Sequence, residues 1–79
     1  MKPERYRNLN GDSGVTYYAI GPDFIAVQFQ DPNVYIYDHS RPGLAHVERM
    51  KALATAGRGL GSYVSQHVRK ALARKQRSW

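Results

Sequence analysis

The first half of the chain contains three short runs of apolar, aromatic and β-branched residues, separated by turn-forming residues. The runs are VTYYAI, FIAVQFQ and VYIYD, at positions 15–20, 24–30 and 34–38. Runs of this length and composition are typical of β-strands. Because Gly-Pro-Asp and Asp-Pro-Asn provide short turns between the runs, the pattern predicts a three-stranded antiparallel meander.

The second predicted strand has apolar residues on both of its sides. Ile25, Val27 and Phe29 alternate on one face of the strand, whereas Phe24 and Ala26 belong to the other face. The predicted helices can cover only one face of a sheet this small. The second apolar face therefore favours self-association, and a homodimer is one predicted assembly.

The second half of the chain changes to helical spacing. Residues 44–56 are expected to form a helix, and Gly57 follows at the position where a left-handed C-cap would end it. The apolar residues of this helix recur at intervals of three and four, so they share one side. That side consists of Val47, Met50, Leu53 and Ala54.

A second helix is predicted to begin near Ser62, a suitable N-cap residue, and to continue to about Arg74. One side of this helix is apolar, and the opposite side is mostly basic and polar. The apolar side consists of Leu60, Val64, Val68, Ala71 and Leu72. The opposite side consists of Gln66, Arg69, Lys70, Ala73, Arg74 and Arg77.

Together these elements predict an α+β domain, a three-stranded antiparallel meander followed by two helices (β-β-β-α-α). The domain covers residues 15–74. Residues 1–14 are turn-forming and poor in apolar residues, so we expect a flexible N-terminal arm. Residues 75–79 are expected to be a basic tail that frays, because Lys75 interrupts the apolar side of the second helix.

Positive charge is concentrated at the end of the chain. The net charge is +6, and residues 49–79 contain eight of the twelve lysine and arginine residues and none of the six acidic residues. A one-sided distribution of this kind favours binding to a polyanion or to an acidic protein surface. The alternative is an ordinary solvated surface.

Several short motifs resemble the KTSC domain, a family named for its occurrence at the C-terminus of some lysyl-tRNA synthetases. The motifs are Tyr35-Ile36-Tyr37, Val47-Glu48-Arg49-Met50-Lys51, Gly57-Arg58-Gly59-Leu60 and Gly61-Ser62-Tyr63-Val64-Ser65. The resemblance covers Tyr18 to Leu72 and includes small stand-alone bacterial and phage members of unassigned function. It implies this order of elements and a suggested role in RNA binding. The family often has asparagine where this chain has Gly61 and Ser65.

The glycine-rich turn between the predicted helices is a candidate phosphate site. A Gly-apolar-Gly turn of the helix-hairpin-helix type presents backbone N–H groups to a phosphate, and Gly59-Leu60-Gly61 has that form. Arg58 would add positive charge beside it. The alternative is a tight turn that buries Leu60 in the core.

The basic side of the second helix is the main candidate for nucleic-acid binding, because a continuous row of cations can follow phosphates. Tyr63 could stack on a base. Tyr35 and Tyr37 share one strand face and are possible stacking residues, and Tyr17 could join them; the alternative is that they lie in the core or at a dimer interface. The predicted binding residues are Arg58, Gly59, Gly61, Tyr63, Gln66, Arg69, Lys70, Arg74 and Arg77.

Other classes of function find little support in the sequence. The chain has no cysteine, which excludes disulfides and thiolate metal sites. The histidines and carboxylates have no spacing suited to a metal or to catalysis, so we predict no enzyme activity, no metal and no cofactor. The chain has no apolar run long enough to span a membrane and no signal-peptide pattern. We expect a cytoplasmic protein.

The sequence therefore predicts a small non-catalytic binding module that binds nucleic acid, RNA before DNA, through the basic face of its second helix. The alternative is a phage or bacterial adaptor or inhibitor that docks on an acidic partner protein, either as a monomer or as a homodimer.

Overall fold

The protein is an α+β domain built on one antiparallel sheet, as predicted, but the sheet has five strands instead of three. A computed structural model describes residues 2–9, 11 and 14–79. The strands pair in sequence order. They are β1 (Glu4–Arg5), β2 (Tyr17–Ile20), β3 (Phe24–Gln28), β4 (Val34–Asp38) and β5 (Arg74–Gln76).

The helical layer consists of α1 (Leu44–Ala56) and α2 (Leu60–Tyr63), which continues directly as a π-helix (Val64–Val68). The predicted bounds of the first helix are confirmed, and Gly57 caps it in the left-handed conformation at φ 79°. The second helix begins earlier than predicted. Gly59, at φ 84°, is its N-cap, and Ser62 lies within the helix.

The main core lies between the helices and one face of the sheet. Ile25 and Val27 of β3 and Tyr37 of β4 are buried there against the helices. Most of the residues predicted to form the apolar sides of the two helices also belong to this core, and Ala71 is the one that does not. Those that are fully or partly buried in it are Val47, Met50, Leu53, Ala54, Leu60, Val64, Val68 and Leu72.

The N-terminal segment is part of the fold, which corrects the predicted flexible arm where the structure describes it. β1 pairs with β2, and the Tyr6 side chain is only 3% exposed within the main core. Its hydroxyl oxygen accepts a hydrogen bond from the backbone N–H of Leu60 at 3.2 Å. A core of this size has few large side chains, so burying one aromatic ring outweighs the cost of ordering the segment. Of the predicted arm, residues 1, 10, 12 and 13 lie outside the described residues.

The C-terminal segment is also ordered into the sheet, which corrects both the long second helix and the frayed tail. The helix ends at Val68, and the backbone N–H of Ala73 donates to the carbonyl of Ile36 at 2.8 Å. β5 then pairs with β4. Without β5, β4 would present unpaired N–H and C=O groups at the edge of the sheet, and their pairing outweighs the helical preference of these residues.

A second, smaller apolar cluster lies on the opposite face of the sheet. Phe24 and Ala26 belong to it, as predicted. Trp79 packs against this cluster, and its indole N–H donates to the side-chain oxygen of Gln28 at 2.9 Å. Trp79 thus covers part of the apolar face from which a homodimer was predicted, so that argument for self-association is weaker.

No helix within the described part of the chain is long and apolar enough to cross a membrane.

Raising the pH above 10 is expected to destabilise the protein through Tyr37. Burial and, to a smaller extent, the neighbouring Tyr35 raise the pKa of Tyr37 to about 12, whereas an exposed tyrosine in the unfolded chain has a pKa of about 10. The contribution of the neutral Tyr37 side chain to the free energy of unfolding is therefore fully present below pH ~10 and is lost as the pH rises towards ~12.

Alkaline unfolding followed by circular dichroism checks this expectation. Tyr37→Phe cannot ionise at this position, so its unfolding should begin at higher pH than that of the wild type. Each protein is compared with its own stability at neutral pH, which removes any effect of the lost hydroxyl on packing. Equal alkaline midpoints after this correction would contradict the expectation.

Candidate nucleic-acid interface

An open cleft lies between the end of the β3–β4 hairpin and the π-helix, and we call it the aromatic cleft. Its volume is about 410 Å³. Sheet residues form one wall, and residues of the π-helix and the position after it form the other. The lining residues are Phe29, Asp31, Tyr35, Tyr37, Val64, Ser65 and Arg69.

Aromatic rings form the sheet wall of this cleft. Phe29 and Tyr35 meet edge to face, with their ring centroids 5.6 Å apart. Both are half-buried, whereas Tyr37 is fully buried. The prediction that Tyr35 and Tyr37 share one face is confirmed. Tyr37 lies in the core, which was the alternative to a stacking role. Tyr17 does not join them, since the strand register places Tyr18 beside Val27 and Tyr35 instead.

Two cations lie close to this aromatic wall. Arg69 follows the π-helix, is exposed and lines the cleft. Lys75 is paired with Tyr35 in the register of β4 and β5, and its Nζ lies 5.8 Å from the centre of the Tyr35 ring. A cation at this distance from an aromatic face is attracted by the ring. The cleft thus combines two partly exposed aromatic rings with the positive charge of Arg69, and Lys75 adds a second cation at the Tyr35 ring.

A carboxylate also lines the cleft. Asp31 begins the β3–β4 turn, where its Oδ1 accepts a hydrogen bond from the backbone N–H of Asn33 at 2.9 Å. Its Oδ2 accepts a longer hydrogen bond, 3.4 Å, from the Tyr35 hydroxyl. Side chains of this type stabilise turns by bonding to the backbone two residues ahead, and here the turn fixes the carboxylate beside the aromatic wall.

The predicted row of cations along one helix is wrong, because the helix ends before the row does. Gln66 lies in the π-helix, and Arg69 and Lys70 follow it directly. Arg74 is in β5, paired with Ile36, and lines a different cavity together with Asp23 and Asp38 on the opposite face of the sheet. Arg77 lies beyond β5. The positive charge therefore divides between two faces of the molecule.

The glycine-rich turn is occupied by the protein itself. Leu60 is fully buried, and its backbone N–H is bonded to Tyr6. The alternative interpretation, a tight turn that buries Leu60, is confirmed. Gly59 and Gly61 form the start of this short helix, and Arg58 is exposed beside it. The N–H group of Leu60 is thus directed at a tyrosine hydroxyl within the core.

Tyr63 is half-buried in a cluster with two histidines. A hydrogen bond of 2.7 Å joins its hydroxyl to Nδ1 of His46, and its ring centroid lies 4.5 Å from that of His67. His67 therefore occupies part of the ring surface that the sequence assigned to a base. Phe29 and Tyr35 offer the better stacking surface.

The remaining histidine, His39, belongs to a hydrogen-bonded group on the surface. Glu48 accepts hydrogen bonds from Lys51 and His39, each at 2.8 Å, and these bonds hold the pKa of Glu48 below its ordinary value. Among residues 2–9, 11 and 14–79, no group of three or more histidine, aspartate or glutamate side chains could hold a metal ion.

A second cavity, of about 400 Å³, lies where the paired strands β1 and β2 end and is lined by Arg5, Arg7 and Tyr17, among others. The Arg7 guanidinium donates to the carbonyl of Thr55 in α1. Arg7 thus holds the N-terminal segment against the helix, which gives this cavity a structural explanation. The aromatic cleft is the stronger candidate, because it has two partly exposed rings, Phe29 and Tyr35. The other cavity has only Tyr17, since its second ring, Tyr6, is buried in the core.

Comparisons with protein-family models, curated proteins and solved structures found no match to this chain. The resemblance to the KTSC family stays a prediction.

Sequence reasoning missed three residues of the interface: Phe29, Asp31 and Lys75. Phe29 carried a signal, because it ends the apolar face of its strand and precedes a turn. Asp31 was recognised only as a turn residue. Lys75 carried no signal, since its position beside Tyr35 depends on a strand that the local pattern does not predict.

Proposed function

We propose that the protein binds single-stranded nucleic acid, RNA before DNA, at the aromatic cleft. The observation that carries this proposal is the placement of the Phe29 and Tyr35 rings beside Arg69 and Lys75. Modules that bind single strands combine aromatic rings, on which bases stack, with cations that contact the backbone. The cleft contains both in one place.

The phosphate contacts are assigned to the cation that lines the cleft and to the two cations nearest to it in the chain or in space. Arg69, Lys70 and Lys75 are all exposed. Arg69 lines the cleft, Lys70 follows it in the chain, and Lys75 lies over the ring of Tyr35. Arg58 and Arg77 remain candidates for a longer strand. Arg74 is left out of this path because it lies on the opposite face of the sheet. Ser65 lines the cleft and offers a hydroxyl partner for a ribose 2′-OH, which supports RNA before DNA.

Fluorescence anisotropy with a labelled oligouridine nonamer tests the proposal. Three phosphate contacts predict that log K falls against log salt with a slope of about −2, and each cation removed should reduce the slope by about 0.7. Tyr35→Ala should weaken binding about 5- to 100-fold through lost stacking. The deoxy version of the same oligonucleotide should bind more weakly.

Arg49→Ala is the matched control for the cation variants, because Arg49 is an exposed arginine in α1 that does not line the cleft. It should retain the wild-type slope, whereas Arg69→Ala and Lys75→Ala should not. Binding weaker than millimolar at low salt would refute the proposal. If an acidic protein is the true partner, the cation variants should reduce its binding after nuclease treatment, while Tyr35→Ala should leave it nearly unchanged.

A further inference from the structure

The position of Asp31 is unexpected for a site that binds a polyanion. Its carboxylate lines the cleft beside Tyr35, on the side of the molecule where Arg69 and Lys75 lie. A negative charge there repels phosphates, and this costs affinity. The turn does not require the charge, because the bond to the N–H of Asn33 needs only one oxygen acceptor, which an asparagine side chain also provides.

The carboxylate keeps acceptor capacity that faces the cleft. An ionised aspartate has about four lone-pair positions and no donor. One bond is committed to the turn, and the bond to the Tyr35 hydroxyl is long, at 3.4 Å. A group that enters the cleft with two adjacent N–H donors could therefore bond to Asp31 without breaking the turn.

Guanine is the base that carries such a pair of donors. Its Watson–Crick edge presents N1–H beside the N2 amino group, whereas the corresponding edges of adenine and cytosine place an amino group beside an acceptor nitrogen, and uracil places one N–H between two acceptor oxygens. A carboxylate satisfies only donors. Unpaired bases in single strands are free to present this edge to a protein.

We infer that the aromatic cleft selects one unpaired guanine, with the base against Tyr35 and Phe29 and its Watson–Crick edge bonded to Asp31. This inference rests on the proposed function and assigns the base that the cleft takes. This contact explains why a negative charge is tolerated in the cleft. The two hydrogen bonds from the base to the Asp31 carboxylate offset the repulsion between that carboxylate and nearby phosphates.

Nonamers of uridine with a single central G, A, C or U measure the selectivity directly. The wild-type protein should bind the G nonamer about ten-fold more tightly than the other three, the discrimination expected of one bidentate contact to a base. Asp31→Asn keeps an oxygen for the turn but replaces one acceptor with a donor. It should bind all four nonamers within about two-fold of each other, and the all-uridine nonamer as tightly as the wild type or more tightly.

Asp23→Asn is the matched control, because it removes the same charge from another turn of the sheet and should keep the preference for guanine. Equal, salt-dependent binding of all four nonamers by the wild type would overturn the inference but leave the proposed function intact. No salt-dependent binding of any nonamer would overturn both. A guanine preference that survives in Asp31→Asn would overturn the assignment to Asp31.

Discussion

Tyr6→Ala is expected to lower the free energy of unfolding by about 3–5 kcal/mol, the usual cost of deleting a buried aromatic ring. A domain of this size has about 3–5 kcal/mol of net stability, so the variant should be largely unfolded at room temperature. The ring is buried in the main core, and its hydroxyl oxygen is the acceptor for the first N–H of α2. Urea unfolding followed by circular dichroism measures the loss.

Two further variants divide this effect into its parts. Tyr6→Phe keeps the ring and leaves the N–H of Leu60 without its acceptor, which should cost about 1–3 kcal/mol. Tyr17→Ala removes a tyrosine that is 41% exposed and should cost less than about 1 kcal/mol. If Tyr6→Ala were no more damaging than Tyr17→Ala, the N-terminal segment would not belong to the core.

Trp79→Ala is expected to lower the free energy of unfolding by about 1–3 kcal/mol, less than for a fully buried ring because the indole is partly exposed. The indole covers the second apolar cluster and bonds to Gln28. Trp79 is the only tryptophan in the chain, so its fluorescence reports on this contact alone. The native emission should lie at shorter wavelength than that of the unfolded chain and should shift as the sheet unfolds.

Trp79→Phe is the companion variant, because it keeps an aromatic ring on the cluster and loses the bond to Gln28. It should fall between the wild type and Trp79→Ala in stability. A native emission already at the wavelength of a water-exposed indole, together with an unchanged unfolding midpoint in Trp79→Ala, would show that this residue does not cover the sheet in solution.

The first helix and the three central strands were predictable because their signals are local. In residues 44–56, apolar residues at intervals of three and four coincide with a glycine that can adopt a left-handed cap, and the helix has those bounds. The central strands were placed correctly, although two are shorter than predicted, at Tyr17–Ile20 and Phe24–Gln28. Turn residues and β-branched runs specify such hairpins without reference to the rest of the chain.

The candidate site was predictable only as separate residues. Tyr35 and Arg69 were both chosen from the sequence, one for its strand face and the other for its charge. Their meeting in one cleft depends on how the π-helix packs over β4. The predicted row of cations was wrong because it assumed that the helix continues to Arg77. The helix ends at Val68, so the later residues do not follow helical spacing.

The sequence by itself determined the fold class, the position of α1, the central strands and the concentration of charge in the last third of the chain. Tertiary structure decided the conformation of the N-terminal and C-terminal segments. Residues 4–6 and 74–76 have weak local preferences for the sheet, but the core lacks a large ring without Tyr6, and β4 lacks hydrogen-bond partners at its edge without β5. Long-range burial and unpaired backbone groups outweighed local propensity there, and the same pairing brought Lys75 to the ring of Tyr35.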